Sequence, residues 1–470
     1  MKTPLQTNTV AVIGAGPVGI AAAAQLQARG LTPLVLEQGA GAGHAMREWG
    51  HVRVFTPWRY VTDDAVVRLL EKTGWTHPDG EHLPTGREIV EEYLLPAAAT
   101  PELRDRITYG ATVVAVSKAG LGKSSSAGRD AAPFTVHYRT AEGTHHVVEA
   151  GAVIDASGTW TRPNPIGADG LPVPGEADHA DRIAYGIPDA FGTDRALYEG
   201  KRTLVLGGGH SAINAALDIL HLKDSHPDTK LYWGLRRNTL EKLLGGGLND
   251  QLPARGALGL AAKQAIDEGG LELLAPMRVR AIRDAGNALQ VEMTVDGQDQ
   301  IVAVDRIVVA AGFRPDLDML RELRLDLDAV VEAPTALAPL IDPNLHSCGT
   351  VPPHGVEELS HPDRNFFVVG MKAYGRAPTF LMMTGYEQVR SIADELAGKH
   401  EAARRIELTL PETGVCNSQA GAPDPLSAGG ACCGPDADED AGPCCGPEAE
   451  AIGRDPCCEP LLAADARCCG

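Results

Sequence analysis

Short runs of apolar, often β-branched residues recur along the first 400 positions, several of them followed by a turn of small residues. Thr9 to Ile13 is the first. It is apolar at nearly every position rather than at alternate ones, which predicts a parallel strand buried on both faces. It runs into Gly14-Ala15-Gly16-Pro17-Val18-Gly19, then a helical stretch from Ile20 to Arg29, then a strand from Thr32 to Leu36 that ends at Glu37. The order repeats later. Arg202 to Leu206 predicts a strand, Gly207-Gly208-Gly209-His210-Ser211-Ala212 a turn, Ile213 to Leu222 a helix, and Lys230 to Leu235 a strand ending in Arg236-Arg237. Two further strands, Ala152 to Ile154 and Arg306 to Val309, run into Ala156-Ser157-Gly158 and Ala310-Ala311-Gly312.

Strand, glycine turn, helix and strand in this order form the dinucleotide-binding fingerprint, so the chain is expected to be α/β, with two Rossmann-like three-layer dinucleotide-binding domains. In the first turn, Gly14 permits the tight bend. Gly16, with Pro17 beside it in the turn, lets a pyrophosphate approach the backbone next to the helix N-terminus. Gly19 allows close packing, and Glu37 can accept from ribose hydroxyls. In the second turn, Gly207, Gly209 and Ser211 lie on the phosphate loop, and Ala212 takes the third glycine's place. Arg236 and Arg237 stand where an NAD site carries an acid. Two arginines attract a 2′-phosphate, so this site is expected to prefer NADPH. Gly158 and Gly312 let the chain cross close to a bound cofactor.

Composition narrows the functions. The 42 basic and 62 acidic residues leave a formal charge of −20. That excludes a nucleic-acid-binding surface built on net positive charge and disfavours docking on anionic lipid. No apolar stretch approaches the length of a membrane span, and MKTPLQTNTV lacks the basic and apolar regions of an export signal, so a cytoplasmic protein is expected. A homodimer is left open.

The ten cysteines are unevenly placed. None precedes Cys348, and the other nine are Cys416, Cys432, Cys433, Cys444, Cys445, Cys457, Cys458, Cys468 and Cys469. Eight of these form adjacent pairs at steps of 12, 13 and 11 residues, three of them followed by Gly-Pro or Glu-Pro. Residues 411–470 contain no aromatic residue, 17 Gly or Pro, and eleven acids against two arginines. Such a composition predicts a disordered tail, with the pairs as repeated copies of one soft-metal ligand. Adjacent thiolates suit As(III), Sb(III) or Hg(II).

Two dinucleotide folds, each closed by a strand ending in small residues and glycine, resemble the flavoproteins with two dinucleotide-binding domains, a group that includes thioredoxin reductases and class B flavin monooxygenases. The resemblance spans about residues 8–400. It implies FAD on a discontinuous first domain (1–165 and 335–410) and NADPH on a second (195–330), with the flavin ring between them. Phe366 to Gly370 resembles the late strand that ends beside the flavin. There the family has Gly-Asp, whereas Gly370 is followed by Met371. Thr384-Gly385-Tyr386-Glu387 resembles the helix start that faces the flavin.

The cysteine-free stretch 195–330 lacks the CxxC of thioredoxin reductases. Val173 to Ile183 resembles the class B monooxygenase motif at Gly175 and His179, with both aromatic ends replaced. The paired-cysteine tail is similar to the terminal pair of mercuric reductase, and the whole chain resembles monooxygenase-like flavoproteins associated with arsenic resistance. Three readings follow. In the first, an FAD- and NADPH-dependent monooxygenase-type oxidoreductase passes electrons to O2 and oxygenates a small-molecule or metalloid substrate. In the second, a reductase passes them to a tail disulfide or a thiol-bound metal, with Cys348 as relay or ligand. In the third, the tail sequesters metalloid.

Overall fold

The computed structural model describes residues 7–237, 253–343, 351–377 and 380–408. The first unit opens with β1 (Thr9–Ile13), α1 (Pro17–Gln27) and β2 (Thr32–Leu36). Helix α1 starts three residues ahead of Ile20, because a proline at the first helical position has φ already set and lacks an N–H that the first turn could not use. Next come α2 (Asp64–Glu71) and β3 (Ile107–Thr108), then a meander of β4 (Thr112–Lys118), β5 (Phe134–Arg139) and β6 (His145–Ala150), then β7 (Ala152–Asp155).

The second unit holds β8 (Ile183–Tyr185), β9 (Arg202–Leu206), α3 (His210–His221), β10 (Lys230–Gly234), α4 (Pro253–Asp267) and β11 (Glu272–Leu274). A second meander follows, β12 (Met277–Asp284), β13 (Leu289–Val295) and β14 (Gln298–Val304), then β15 (Arg306–Val309). The chain closes with β16 (Phe366–Val368) and α5 (Met382–Leu396).

Both five-stranded sheets are parallel throughout. The first runs β16-β7-β1-β2-β3, so a late strand completes a sheet begun at Thr9. The second runs β11-β10-β9-β15-β8 and takes its edge strand from Ile183, ahead of residue 195 where the sequence pattern begins. The two meanders are separate three-stranded antiparallel sheets.

The alternation of side chains along a strand produces the three layers. In the second sheet Leu204, Leu206, Ile307 and Val309 face the meander residues Val279, Val291 and Met293. Val205 and Val308, one position over, face Ile213, Ala216 and Ile219 of α3 and Ala262 of α4. Both faces of each strand are therefore covered, which is why the strands read as unbroken apolar runs. In the first unit one continuous core joins β1, β2 and β7 to α1, α5 and the meander residues Val116, Phe134 and Val136. Gly385 brings α5 close to α1: a Cβ there would lie 2.6 Å from Val18. Among the described residues no helix is long and apolar enough to cross a membrane.

Candidate functional site

In a parallel α/β sheet, ligands bind at the carboxyl ends of the strands. Each sheet here has a glycine turn at that end, following its central strand (β1 and β9). In the first turn the three glycines have three separate jobs. Gly14 has φ +97°, and a Cβ on it would stand 2.9 Å from the Ala156 carbonyl oxygen, so the β7 strand end lies directly against the bend. A Cβ on Gly19 would overlap the Gly14 carbonyl, so the helix packs on the turn itself. Gly16 is different: a Cβ there meets nothing within 4 Å. That open side faces no protein atom, and it caps the N-terminus of α1, where anions are favoured.

The second turn repeats this arrangement. Gly207 has φ +142°, and a Cβ on it would overlap the Ala310 carbonyl. Gly209 caps α3 and opens on empty space. Ala212 is fully buried and 3.2 Å from the Cβ position of Gly207, while Ser211 is exposed beside the loop. Arg236 and Arg237, just past β10, are both exposed. The residues present therefore fit two dinucleotides: two open cradles, one beside an acid and one beside two arginines.

Glu37 holds a more constrained place than a free ribose acceptor. Its side chain is buried, and its two oxygens accept from the backbone N–H groups of Ala15 and Gly39, both at 2.7 Å. It ties the β2 end to the first turn, which leaves only its remaining lone pairs for a ligand.

At the far end of the first sheet, Gly370 has φ +68° and packs on Val18 of α1, and its N–H donates to Gln388 Oε1 at 2.7 Å. Thr384 is buried as the third residue of α5, which starts at Met382 rather than at Thr384. Gly158 has φ +69° and open space about its Cβ position. The segment after it is stitched to the second sheet's strand end: Asn164 donates its backbone N–H to Gly312 O at 2.9 Å and its side-chain amide to Ala311 O at 3.0 Å. Trp160 lies on Phe313 with ring centroids 4.6 Å apart and donates to Glu48 at 2.7 Å. Phe55, from the first unit, stands edge-on to His210 in the second turn at 5.4 Å. These contacts join the first unit to the strand end and glycine turn of the second.

Sequence reasoning missed three supports of the site. Trp233 is buried in β10 and donates its indole N–H to Gly207 O at 2.9 Å, fixing the second turn. Glu176, buried beside the second unit's core, accepts from Ile166 N, Val173 N and the Tyr185 hydroxyl (2.6 Å), and that phenol is held above its ordinary value by burial and by Glu176. Lys372 is paired with Asp155 at 2.7 Å in the interior. The Trp233–Gly207 and Lys372–Asp155 partners lie 26 and 217 positions apart, beyond the reach of any local pattern. In the stretch around Gly175 and His179, Gly175 has φ +85° and presses on the Ile282 carbonyl, whereas His179 is half-buried at the head of a short helical turn.

Cys348 and the nine cysteines from Cys416 to Cys469 lie outside the described residues. Among the described residues, no cluster of three or more His, Cys, Asp or Glu is arranged to hold a metal.

Residues 11–344 match the family model described as pyridine nucleotide-disulphide oxidoreductase. A ferredoxin–NADP reductase of Thermus thermophilus is 30% identical over 207 residues, which cover 43% of this chain and 53% of that protein, about half its length. Among solved structures, bacillithiol disulphide reductase from Bacillus cereus superposes with a TM-score of 0.60 at 19% identity, over 84% of this chain and 100% of that one. The cadaverine monooxygenase of desferrioxamine biosynthesis from Erwinia amylovora gives 0.57 at 14% identity, over 87% and 98%. At these identities the two structures bear on the fold alone. With the family model spanning most of the chain and both cradles in place, the chain belongs to the pyridine nucleotide-disulphide oxidoreductase family.

Proposed function

We propose that the chain is an FAD- and NADPH-dependent oxidoreductase of the monooxygenase type, acting in the detoxification of arsenic or another soft metal or metalloid. The observation that carries the cofactor assignment is the pair of open glycine positions, Gly16 and Gly209, each at a helix N-terminus above a parallel sheet. Gly16 and the α1 N-terminus hold the FAD pyrophosphate. Gly209 and the α3 N-terminus hold that of NADPH, with Arg236 and Arg237 on its 2′-phosphate. Bound FAD supplies the electron-transfer chemistry between NADPH and the acceptor. The chain's own part is to place the two cofactors and to keep water from the space between the crevices, which the 158–164 crossing and Phe55 border. No cysteine precedes Cys348, so the body offers no dithiol ahead of the late strand of the FAD unit, which favours O2 as the acceptor.

A second reading is a reductase of a thiol-bound metalloid or a disulphide. It is favoured by the four cysteine pairs of residues 411–470 and by the likeness to a ferredoxin–NADP reductase. In either reading the tail thiolates capture the thiophilic ion. NADPH oxidation measured aerobically and anaerobically, with and without arsenite or Hg(II), decides between them. Consumption of O2 with an oxygenated product supports the monooxygenase type. NADPH oxidation that persists without O2, with its two electrons reducing Hg(II) to the metal or a tail disulphide to its dithiol, overturns it in favour of the reductase.

A further inference from the structure

The side chains of Lys372 and Asp155 have no exposed surface. The Lys372 ammonium donates to Asp155 Oδ2 at 2.7 Å and to Ser157 Oγ at 3.0 Å. Ser157 in turn donates its hydroxyl (2.6 Å) and its backbone N–H (3.1 Å) to Asp155 Oδ1. The two charged residues are 217 positions apart in the chain but sit at the carboxyl ends of adjacent parallel strands, β7 and β16. The turn that carries Lys372 is fixed at both ends: Gly370 donates to Gln388, and Gly375, at φ +56°, lies against the Val331–Glu332 backbone. On the other side, the backbone between Asp155 and Ser157 abuts the phosphate turn, through Ala156 O against Gly14. Gly370 also packs on Val18, 3.3 Å from its Cβ position. One buried ammonium thus joins two of the three backbone segments that border the first crevice, and both of them touch the third.

Taking such a pair out of water is costly for each ion, and neutral replacements of similar volume are often as stable. What a charged pair supplies here is placement rather than stability. We propose that Lys372 is the positioning residue of the first crevice: acting through Asp155 and Ser157, it fixes the backbone that receives FAD. The inference rests on the reading of the Gly14–Gly19 turn as the FAD site.

Two variants separate placement from stability. Lys372→Met leaves Asp155 buried without its partner and lowers the melting temperature of the apoprotein. The double variant Asp155→Asn/Lys372→Met removes both charges and melts close to wild type. It should still bind FAD about tenfold more weakly in fluorescence titration, and at FAD saturation its visible circular dichroism should differ from wild type. A double variant with wild-type FAD affinity and an unchanged visible spectrum overturns the proposal. A full-length wild-type protein that binds no FAD overturns the site reading on which it rests.

Discussion

The Glu37 carboxylate accepts a hydrogen bond from the Ala15 backbone N–H at 2.7 Å, so the acid that ends β2 holds the phosphate turn of β1 in place. Its other oxygen accepts from Gly39 N. Hydrogen bonds to a charged acceptor contribute more than neutral ones, and a buried donor left without a partner bears its full desolvation cost. Glu37→Ala should therefore lower stability by about 2–4 kcal/mol in urea denaturation and release FAD. Glu37→Gln, which keeps one acceptor oxygen, should lose roughly half as much. Equal stability of wild type and Glu37→Ala would show that the turn holds its shape without the acid.

Gly16 and Gly19 of the first turn should fail in different ways. Gly16→Ala adds a methyl group into open space, so the apoprotein should melt as wild type does while FAD no longer copurifies. Gly19→Ala drives a methyl group into the Gly14 carbonyl, so it should destabilise the apoprotein by a few kcal/mol, as overpacking does. Thermal melting and flavin content of the two variants check this contrast. A Gly16→Ala protein that is fully yellow removes Gly16 from the site.

How much of this was legible in the sequence depended on whether the cause was local. The strands Thr9–Ile13, Thr32–Leu36, Arg202–Leu206 and Arg306–Val309 appear where the apolar runs place them, because burial on both faces leaves an unbroken apolar signature. The glycine roles were legible too, since φ and close approach are properties of a few neighbouring residues. The meanders were not. Their outer strands, His145–Ala150 and Gln298–Val304, are largely exposed, so their apolar residues, Val147 and Ile301 among them, mark no buried face. Nor was the Lys372–Asp155 pair, which exists only because β16 and β7 come together from distant parts of the chain.

Arg236 and Arg237 should set the coenzyme preference. Each is exposed at the end of β10, free to meet a 2′-phosphate with charge-assisted bonds. Replacing both with Ala should raise KM for NADPH about 10- to 100-fold and leave KM for NADH within about twofold, a loss of roughly 1.5–3 kcal/mol. An equal rise with both coenzymes would show that the arginines do not contact the phosphate.

Asp63 should make stability fall as pH rises. It caps α2, accepting from Ala65 N and Val66 N, and it accepts from Gln25 Nε2 at 2.9 Å. Burial raises its carboxyl to about 6, against an ordinary value of 3.8, and the hydrogen bonds offset only part of that. The folded state therefore holds this proton more tightly than the unfolded chain does. The stabilisation is complete below about pH 4 and is lost as pH rises through about 6, a change of roughly 3 kcal/mol. Asn keeps the cap but cannot titrate. The difference in unfolding free energy between wild type and Asp63→Asn, measured from pH 4 to pH 8, should thus move in favour of Asn as pH rises. A difference that stays constant over that range would show that Asp63 does not titrate there.

The tail should be separable from the flavin chemistry but not from metal capture. Residues 411–470 hold nine of the ten cysteines and none of the aromatic residues. Several thiol pairs on one tether raise the local concentration of ligand around a single ion. Deleting 412–470 should leave the flavin spectrum and melting temperature nearly unchanged, while arsenite or mercury binding in equilibrium dialysis under reducing conditions falls to a small fraction. Thiolates must lose protons to bind metal, so wild-type capture should also weaken as pH falls. Replacing Cys468 and Cys469 alone distinguishes the two functional readings: the reductase loses metal-dependent NADPH oxidation, and the monooxygenase type keeps its O2-dependent turnover. If the truncated protein binds the ion at full stoichiometry, the pairs are not the ligands, and Cys348, the one remaining thiol, becomes the residue to substitute next.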